Sequence, residues 1–165
     1  MVIAVSAGIV FAALLFMGRM AEVSGVKLVG NRRPDLAEPL PPGILLYEIN
    51  GPLFFGAAQK AMSSLSVIGS GVKVVILDME NVPAMDATGL VNLQSTISRL
   101  HMGGVFCVLG GVREQPMEVL EKAKLDEIDS RIGICPTIEE AVILAKFQLA
   151  MWADLHQAGA ATTGG

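Results

Sequence analysis

Two hydrophobic patterns meet in the middle of this chain. Val72 to Met79 (VKVVILDM) is almost continuously apolar and rich in branched residues, which predicts a strand buried on both faces of a sheet. From Ala87 onward the period changes. Leu90, Leu93, Ile97 and Leu100 form one apolar stripe, while Asn92, Gln94, Ser95, Ser98 and Arg99 are polar. That spacing predicts an amphipathic helix. Between the two lies a loop, Glu80 to Met85, broken by Pro83 and leading into Asp86-Ala87-Thr88-Gly89. The remaining segments can be placed around this strand–loop–helix unit.

The same reading extends in both directions. Ile44–Ile49 (ILLYEI) is a strand, and Asn50-Gly51 after it is a tight-turn signal. Leu53-Phe54-Phe55 is a candidate short strand returning antiparallel to it. Gly56 opens a helix in which Ala57, Ala58, Ala61, Met62, Leu65 and Ile68 recur at helical spacing, ended by Gly69-Ser70-Gly71. Gly103-Gly104 stops the helix that comes after the central strand. Val105–Leu109 is another buried strand, and Gln115–Lys124 a short helix with Pro116 in its first turn. Met117, Leu120 and Ala123 are its inward positions. A weaker strand, IGIC, closes the stretch 128–135. Thr137-Ile138-Glu139-Glu140 is a capping box opening a helix to about Trp152, with Ala141, Val142, Ala145 and Leu149 on one face. Strands alternating with helices predict an α/β fold: a mixed, mostly parallel central sheet flanked by helices, with right-handed crossovers.

The ends differ from this body. Met1 to Met17 carries no charge. As a helix it is roughly 25 Å long at about 1.5 Å per residue, slightly short of a hydrocarbon core. Its positive charges come after it, at Arg19, Lys27, Arg32 and Arg33. A signal peptide has them in front, and the bias places the C-terminal side in the cytoplasm. Ala4, Gly8 and Ala12 give this helix a small-residue face. Residues 1–20 are therefore expected to be the end of a transmembrane helix. The alternative, a helix of a soluble core, lacks the polar face such a helix needs. Residues 21–42 read as a linker, because Pro34, Pro39, Pro41 and Pro42 exclude regular helix and central strand. Residues 43–153 form the folded domain. The small, polar stretch 154–165 reads as a disordered tail.

Composition narrows the chemistry. The 165 residues are 52% hydrophobic and 17% charged, with a net charge of −4 and no basic block. A nucleic-acid partner needs a concentrated cationic face and is excluded on that ground. Cys107 and Cys135 sit in apolar runs without metal-ligand spacing, and two buried thiols are favoured over a disulfide. His101 ends a helix and His156 lies in the tail, so neither stands near a nucleophile. No phosphate-binding glycine fingerprint follows a strand. Asp78 and Asp86 flank the loop, but Asp78 at a strand end reads as a loop-ordering acceptor. The expectation is no enzyme, no metal and no cofactor.

The helix entrance remains. Asp86 is a strong N-cap whose carboxylate can accept from the first-turn amides. Thr88 then takes the second helical position. A phosphate there would meet unpaired N–H groups and the positive end of the helix dipole, and would add about −1.5 to −2 charges beside Asp86. The simpler reading has Asp86 capping while Thr88 packs or bonds locally, and spacing alone favours it.

At this point the sequence resembles a known family. Ile49-Asn50-Gly51-Pro52-Leu53-Phe54-Phe55-Gly56-Ala57, followed by the run from Val74 to Leu90, is similar to a STAS domain. More narrowly, it resembles the cytoplasmic C-terminal STAS domain of bacterial SulP-type anion transporters, the SLC26 relatives. The likeness covers about residues 43–149. It implies a mixed sheet flanked by helices and no catalysis. In the related anti-sigma factor antagonists a D-S-S-G motif carries a phosphorylated serine. Here it reads Asp86-Ala87-Thr88-Gly89, placing Thr88 at the phosphorylated position, with Thr for that Ser and Ala87 for the first one. The implied role is regulation or assembly of a sulfate or related anion transporter at the cytoplasmic face of the bacterial inner membrane. Its implied partners are the parent's membrane domain, a second protomer or a regulatory protein, with membrane attachment through the N-terminal helix. The alternatives are an anti-sigma factor antagonist-like phospho-switch, which has no reason to carry the apolar span, and a nucleotide-binding module.

Overall fold

The computed structural model describes residues 5–12, 15, 25–29, 36, 38–54, 71–124 and 132–162, the last seven by backbone alone. Its elements are β1 Gly25–Leu28, β2 Ile44–Asn50, β3 Val74–Asn81, α1 Ala87–Met102, β4 Phe106–Gly110, α2 Glu114–Lys122, β5 Ile132–Cys135 and α3 Ile138–Thr162. The five strands form one sheet in sequence order. β2 through β5 are parallel, with Ile76 beside Leu46 and Val108, while β1 runs antiparallel to β2. The expected mixed, mostly parallel α/β architecture is the one observed.

Alternation along the strands sorts the core into two layers. Tyr47, Ile49, Val75, Leu77, Met79, Cys107 and Leu109 point to one face, where Leu93, Ile97 and Leu100 of α1 and Leu120 of α2 cover them. Ile44, Leu46, Val74, Ile76 and Val108 point to the other, under Leu40 and Ile138, Ala141, Val142 and Ala145 of α3. Successive right-handed crossovers put α1 and α2 on the same side of the sheet. β3 has helices on both faces, which is why its apolar run is continuous. Cys107 and Cys135 are both free and buried. They belong to opposite layers, so the sheet stands between them.

α3 lies close to the sheet because two strand positions lack a side chain. A Cβ on Gly110 would stand 2.8 Å from the Cβ of Ala141, and one on Gly133 would overlap the Leu144 side chain. The threonine half of the expected capping box is present: Thr137 Oγ1 accepts from the Glu140 amide at 3.2 Å.

Three expectations need correction. The antiparallel neighbour of β2 is β1, drawn from the stretch read as linker, with Gly25 opposite Asn50 and Leu28 opposite Tyr47. The prolines begin only at residue 34, so Val26 remains available to pack on the core. Leu53 does not return along β2; it continues parallel to the end of β3 and bridges Met85. Gly51, at φ +84°, turns the chain while its amide donates to the Asn81 carbonyl at 3.0 Å. Finally, α3 continues to Thr162 instead of giving way to a disordered tail. Alanines at positions 150, 153, 158, 160 and 161 sustain the helix.

Residues 5–12 are helical, and Val5, Ile9, Val10 and Phe11 are exposed. Among the described residues no helix is long and apolar enough to cross a membrane. Much of the expected 1–17 span, and the expected helix over residues 57–68, lie outside the described residues.

Candidate functional site

The C-terminal ends of β2, β3 and β4 converge on the loop that leads into α1. Asp86 caps α1 in extended backbone conformation, and its Oδ1 accepts from the Gly89 amide at 2.7 Å. The loop before it is ordered by side chains. Asp78 is fully buried, and its Oδ1 accepts from the Glu80 amide at 2.9 Å. This is the loop-ordering role expected of a strand-end carboxylate.

Parallel pairing continues past the strands. The Leu53 amide donates to the Ala84 carbonyl at 3.0 Å, and the Leu53 carbonyl accepts from the Asp86 amide at 3.3 Å. The first turn of α1 is pressed against this same segment. A Cβ on Gly89 would overlap the Leu53 carbonyl oxygen and stand 3.0 Å from Met85 Cγ. Glycine is needed at position 89 for close approach, since it lies within a regular helix.

Arg113, the N-cap of α2, and Gln115, in its first turn, complete the frame. The Gln115 carboxamide meets both backbone groups of Met85: its Oε1 accepts from the amide at 2.8 Å, and its Nε2 donates to the carbonyl at 3.1 Å. Arg113 Nε donates to the Glu80 carbonyl at 2.6 Å. Gly111, at φ +67°, leaves room there for the Glu80 side chain. Neither contact is signalled by sequence pattern, because a solvated glutamine at a helix start looks the same.

What the frame presents to solvent is small and chemically plain. Asp86 is half-buried, Ala87 and Thr88 are exposed, and Gly89 is buried. Asn92 Nδ2 donates to the Thr88 carbonyl at 2.9 Å. Phe54 and Val91 lie exposed on the two adjoining segments. The four sequence-predicted residues Asp86, Ala87, Thr88 and Gly89 thus form one corner. The first and last hold it, and the middle two face outward. Because the Gly89 amide is taken by Asp86, a group on Thr88 would find only the amides at the start of α1 that helix geometry leaves without an intrahelical acceptor.

Two groups outside the corner are shifted from their ordinary ranges. Burial pushes the Tyr47 hydroxyl above its ordinary range. Burial, followed by the charge of Glu140, does the same to the Cys135 thiol, which keeps it in its unreactive protonated form. Among the described residues no group of three or more His, Cys, Asp or Glu is placed to hold a metal ion.

Comparison with known proteins agrees with this geometry. A family model described as STAS domain matches residues 37–141. The chain is 31% identical over 126 residues to YvdB of Bacillus subtilis (strain 168), named as a candidate sulfate transporter; the match covers 76% of this chain and 24% of that protein. The chain therefore spans about a quarter of the length of the curated relative it matches. Among solved structures it is similar to a sulfate transporter family protein from Wolinella succinogenes. Identity there is 32%, coverage 72% of this chain and 99% of that one, and the TM-score 0.62. It is also similar to the SulP transporter STAS domain of Vibrio cholerae, at 26% identity, 70% and 91% coverage and a TM-score of 0.59.

Proposed function

This chain belongs to the STAS domain family, and we propose that it is the cytoplasmic regulatory and assembly domain of a SulP-type secondary anion transporter for sulfate or a related anion. It acts by protein contact and carries out no catalysis of its own. A match to a quarter of a transporter-named relative supports a part within a larger protein. The membrane domain of that parent is its first partner, and a regulatory protein is a second.

The observation that carries the reading is the Asp86–Gly89 corner. Asp86 caps it, Gln115 fastens the loop behind it, and Gly89 seats it on Leu53. A corner that is ordered from several segments and turns Ala87 and Thr88 to solvent, with Phe54 and Val91 exposed beside it, has the build of a docking face. Residues 1–20 supply the link to the membrane in this reading, residues 21–24 and 29–42 the connection, and 43–153 the body of the domain.

A phospho-switch at Thr88 is the second reading, favoured by that residue's exposure at the second position of α1. Added charge there would recruit or repel a partner at the same corner.

The test is transport by the parent protein in proteoliposomes. Ala87→Arg enlarges the corner and Thr88→Asp charges it, with the fold of each variant checked by circular dichroism. Altered transport or altered response to conditions is expected from folded variants. Transport equal to the unmodified protein for both would reject the contact role of this corner.

A further inference from the structure

The chain between β1 and β2 crosses the α3 side of the sheet and is fastened there at a few points. Val29 and Leu36 pack against that layer, and Leu40 is buried in it beside Ile44 and Leu46. Glu38 and Lys146 of α3 form an ion pair at 3.1 Å, with both side chains open to solvent. Three of the five residues 38–42 are proline, so this stretch offers few N–H groups and cannot join a ladder. Side chains hold it, and its rings keep it stiff when it leaves. β1 is an edge strand that exposes Gly25, Lys27 and Leu28 and packs Val26 alone on the core. Gly43 is the firm end of the stretch. It sits at φ +99°, and its carbonyl accepts from the Lys73 and Val74 amides at 2.8 and 3.1 Å.

We propose that β1 and the 38–42 strap are a releasable tether that opens as one unit about Gly43 while β2–β5 and the helices stay folded. Two observations select joint release. Val29 follows β1 directly and packs in the same layer as Leu40, so lifting the strap strips β1 of its inner support. The Val29 amide also donates to the Leu46 carbonyl at 3.1 Å, on the strand that Leu40 covers. Few buried contacts and an exposed edge are the marks of a segment that opens below the global unfolding free energy. β3, paired on both sides and covered on both faces, is the opposite case.

The consequence is a leash of two lengths. Closed, residues 1–24 are clamped to the sheet at Gly25. Open, residues 25–42 join the leash and lengthen it by up to roughly 60 Å, at about 3.4 Å per extended residue. The folded body can then leave a surface it was docked on without unfolding. The device is separate from the Asp86–Gly89 corner and stands whether or not residues 1–20 enter a membrane.

The experiment is native-state amide exchange by NMR on the full chain. The Val29 amide reports β1. The Ile44 amide, which donates to the Pro41 carbonyl at 3.2 Å, reports the strap, since swinging about Gly43 breaks that bond. The Phe106 amide, bonded to the Lys73 carbonyl at 2.8 Å, reports the core. Val29 and Ile44 are expected to exchange with one shared opening constant, faster than Phe106. Leu40→Ala should accelerate both by roughly thirtyfold or more and leave Phe106 unchanged. Should circular dichroism show that variant unfolded, Glu38→Lys, which sets two cations together on the surface, replaces it and should accelerate both by roughly threefold. A bismaleimide staple between Glu38→Cys and Lys146→Cys should slow Val29 towards the core rate; both native thiols are buried and leave the reagent to the new pair. Val29 and Ile44 exchanging as slowly as Phe106 would overturn the proposal. So would a strap variant that accelerates Ile44 alone, or a staple that leaves Val29 unchanged, since either would show β1 and the strap opening independently.

Discussion

Gly89 and Leu53 are in contact through backbone alone: the first turn of α1 lies so close to the Leu53 carbonyl that a single methyl group at position 89 would overlap it. The residues are far apart in sequence, and the approach is what seats the candidate contact corner on the end of β2. Gly89→Ala would ordinarily help a helix by about 1 kcal/mol. Here it is expected to destabilise by about 3 kcal/mol, because a backbone carbonyl cannot move aside as a side chain can. Urea denaturation of the variant and the parent checks this; a gain in stability would show that α1 can retreat from Leu53 without cost.

Gln115 supplies both hydrogen bonds that the Met85 backbone makes to a side chain. Gln115→Ala is expected to cost about 2 kcal/mol, the penalty for leaving buried backbone groups unsatisfied. It should also abolish hydrogen-exchange protection of the Met85 amide. Gln115→Glu keeps the acceptor and loses the donor, so it should retain that amide's protection while losing part of the stability. Amide exchange followed by NMR separates the two.

The Asp86 cap makes a narrower prediction. Asp86→Ala is expected to cost about 1 kcal/mol, and Asp86→Asn only a few tenths, since an amide oxygen can still accept from Gly89. Thermal melts of the two variants rank them, and equal losses would mean that the carboxylate charge matters more than the hydrogen bond.

Alkaline pH should loosen the fold through two buried groups. Cys135 and Tyr47 both sit above ordinary values of 9.0 and 10.0 in the folded chain. A raised value means that the folded state holds the proton more tightly than the unfolded state. Their contribution is complete below pH 9, is lost as pH climbs through the folded-state values, and does not change between pH 6 and 8. The expected result is a melting temperature that is flat near neutrality and falls above pH 9, with a shallower fall in Cys135→Ala once its lower starting stability is subtracted.

Much of the corner was legible in advance, and for local reasons. An Asp followed by a helical stripe is a cap, and Asp86 Oδ1 on the Gly89 amide is that cap. A carboxylate ending an apolar strand needs donors, and Asp78 finds the Glu80 amide. Thr137 followed by Glu140 reads as a capping box, and the Thr137 hydroxyl accepts from the Glu140 amide. What sequence could not supply was anything that depends on a distant neighbour. No local pattern signals that the Leu53 carbonyl holds position 89 to glycine. Gln115 reads as a solvated helix start; its actual partner is the backbone of Met85.

The sequence by itself determined the alternation of buried strands and amphipathic helices, and with it a mostly parallel sheet covered on both faces, because hydrophobic period and chain direction are local properties. Only the tertiary structure decided which segment pairs with the free side of β2, how far α3 extends, and what holds the loop before Asp86. A four-residue edge strand such as Gly25–Leu28 has too few positions to carry a period, and its pairing is settled by the neighbour that satisfies its backbone. The stretch from Val72 to Leu100 is the core strand and helix that its pattern announced, while the rigidity of the corner between them comes from Leu53, Arg113 and Gln115.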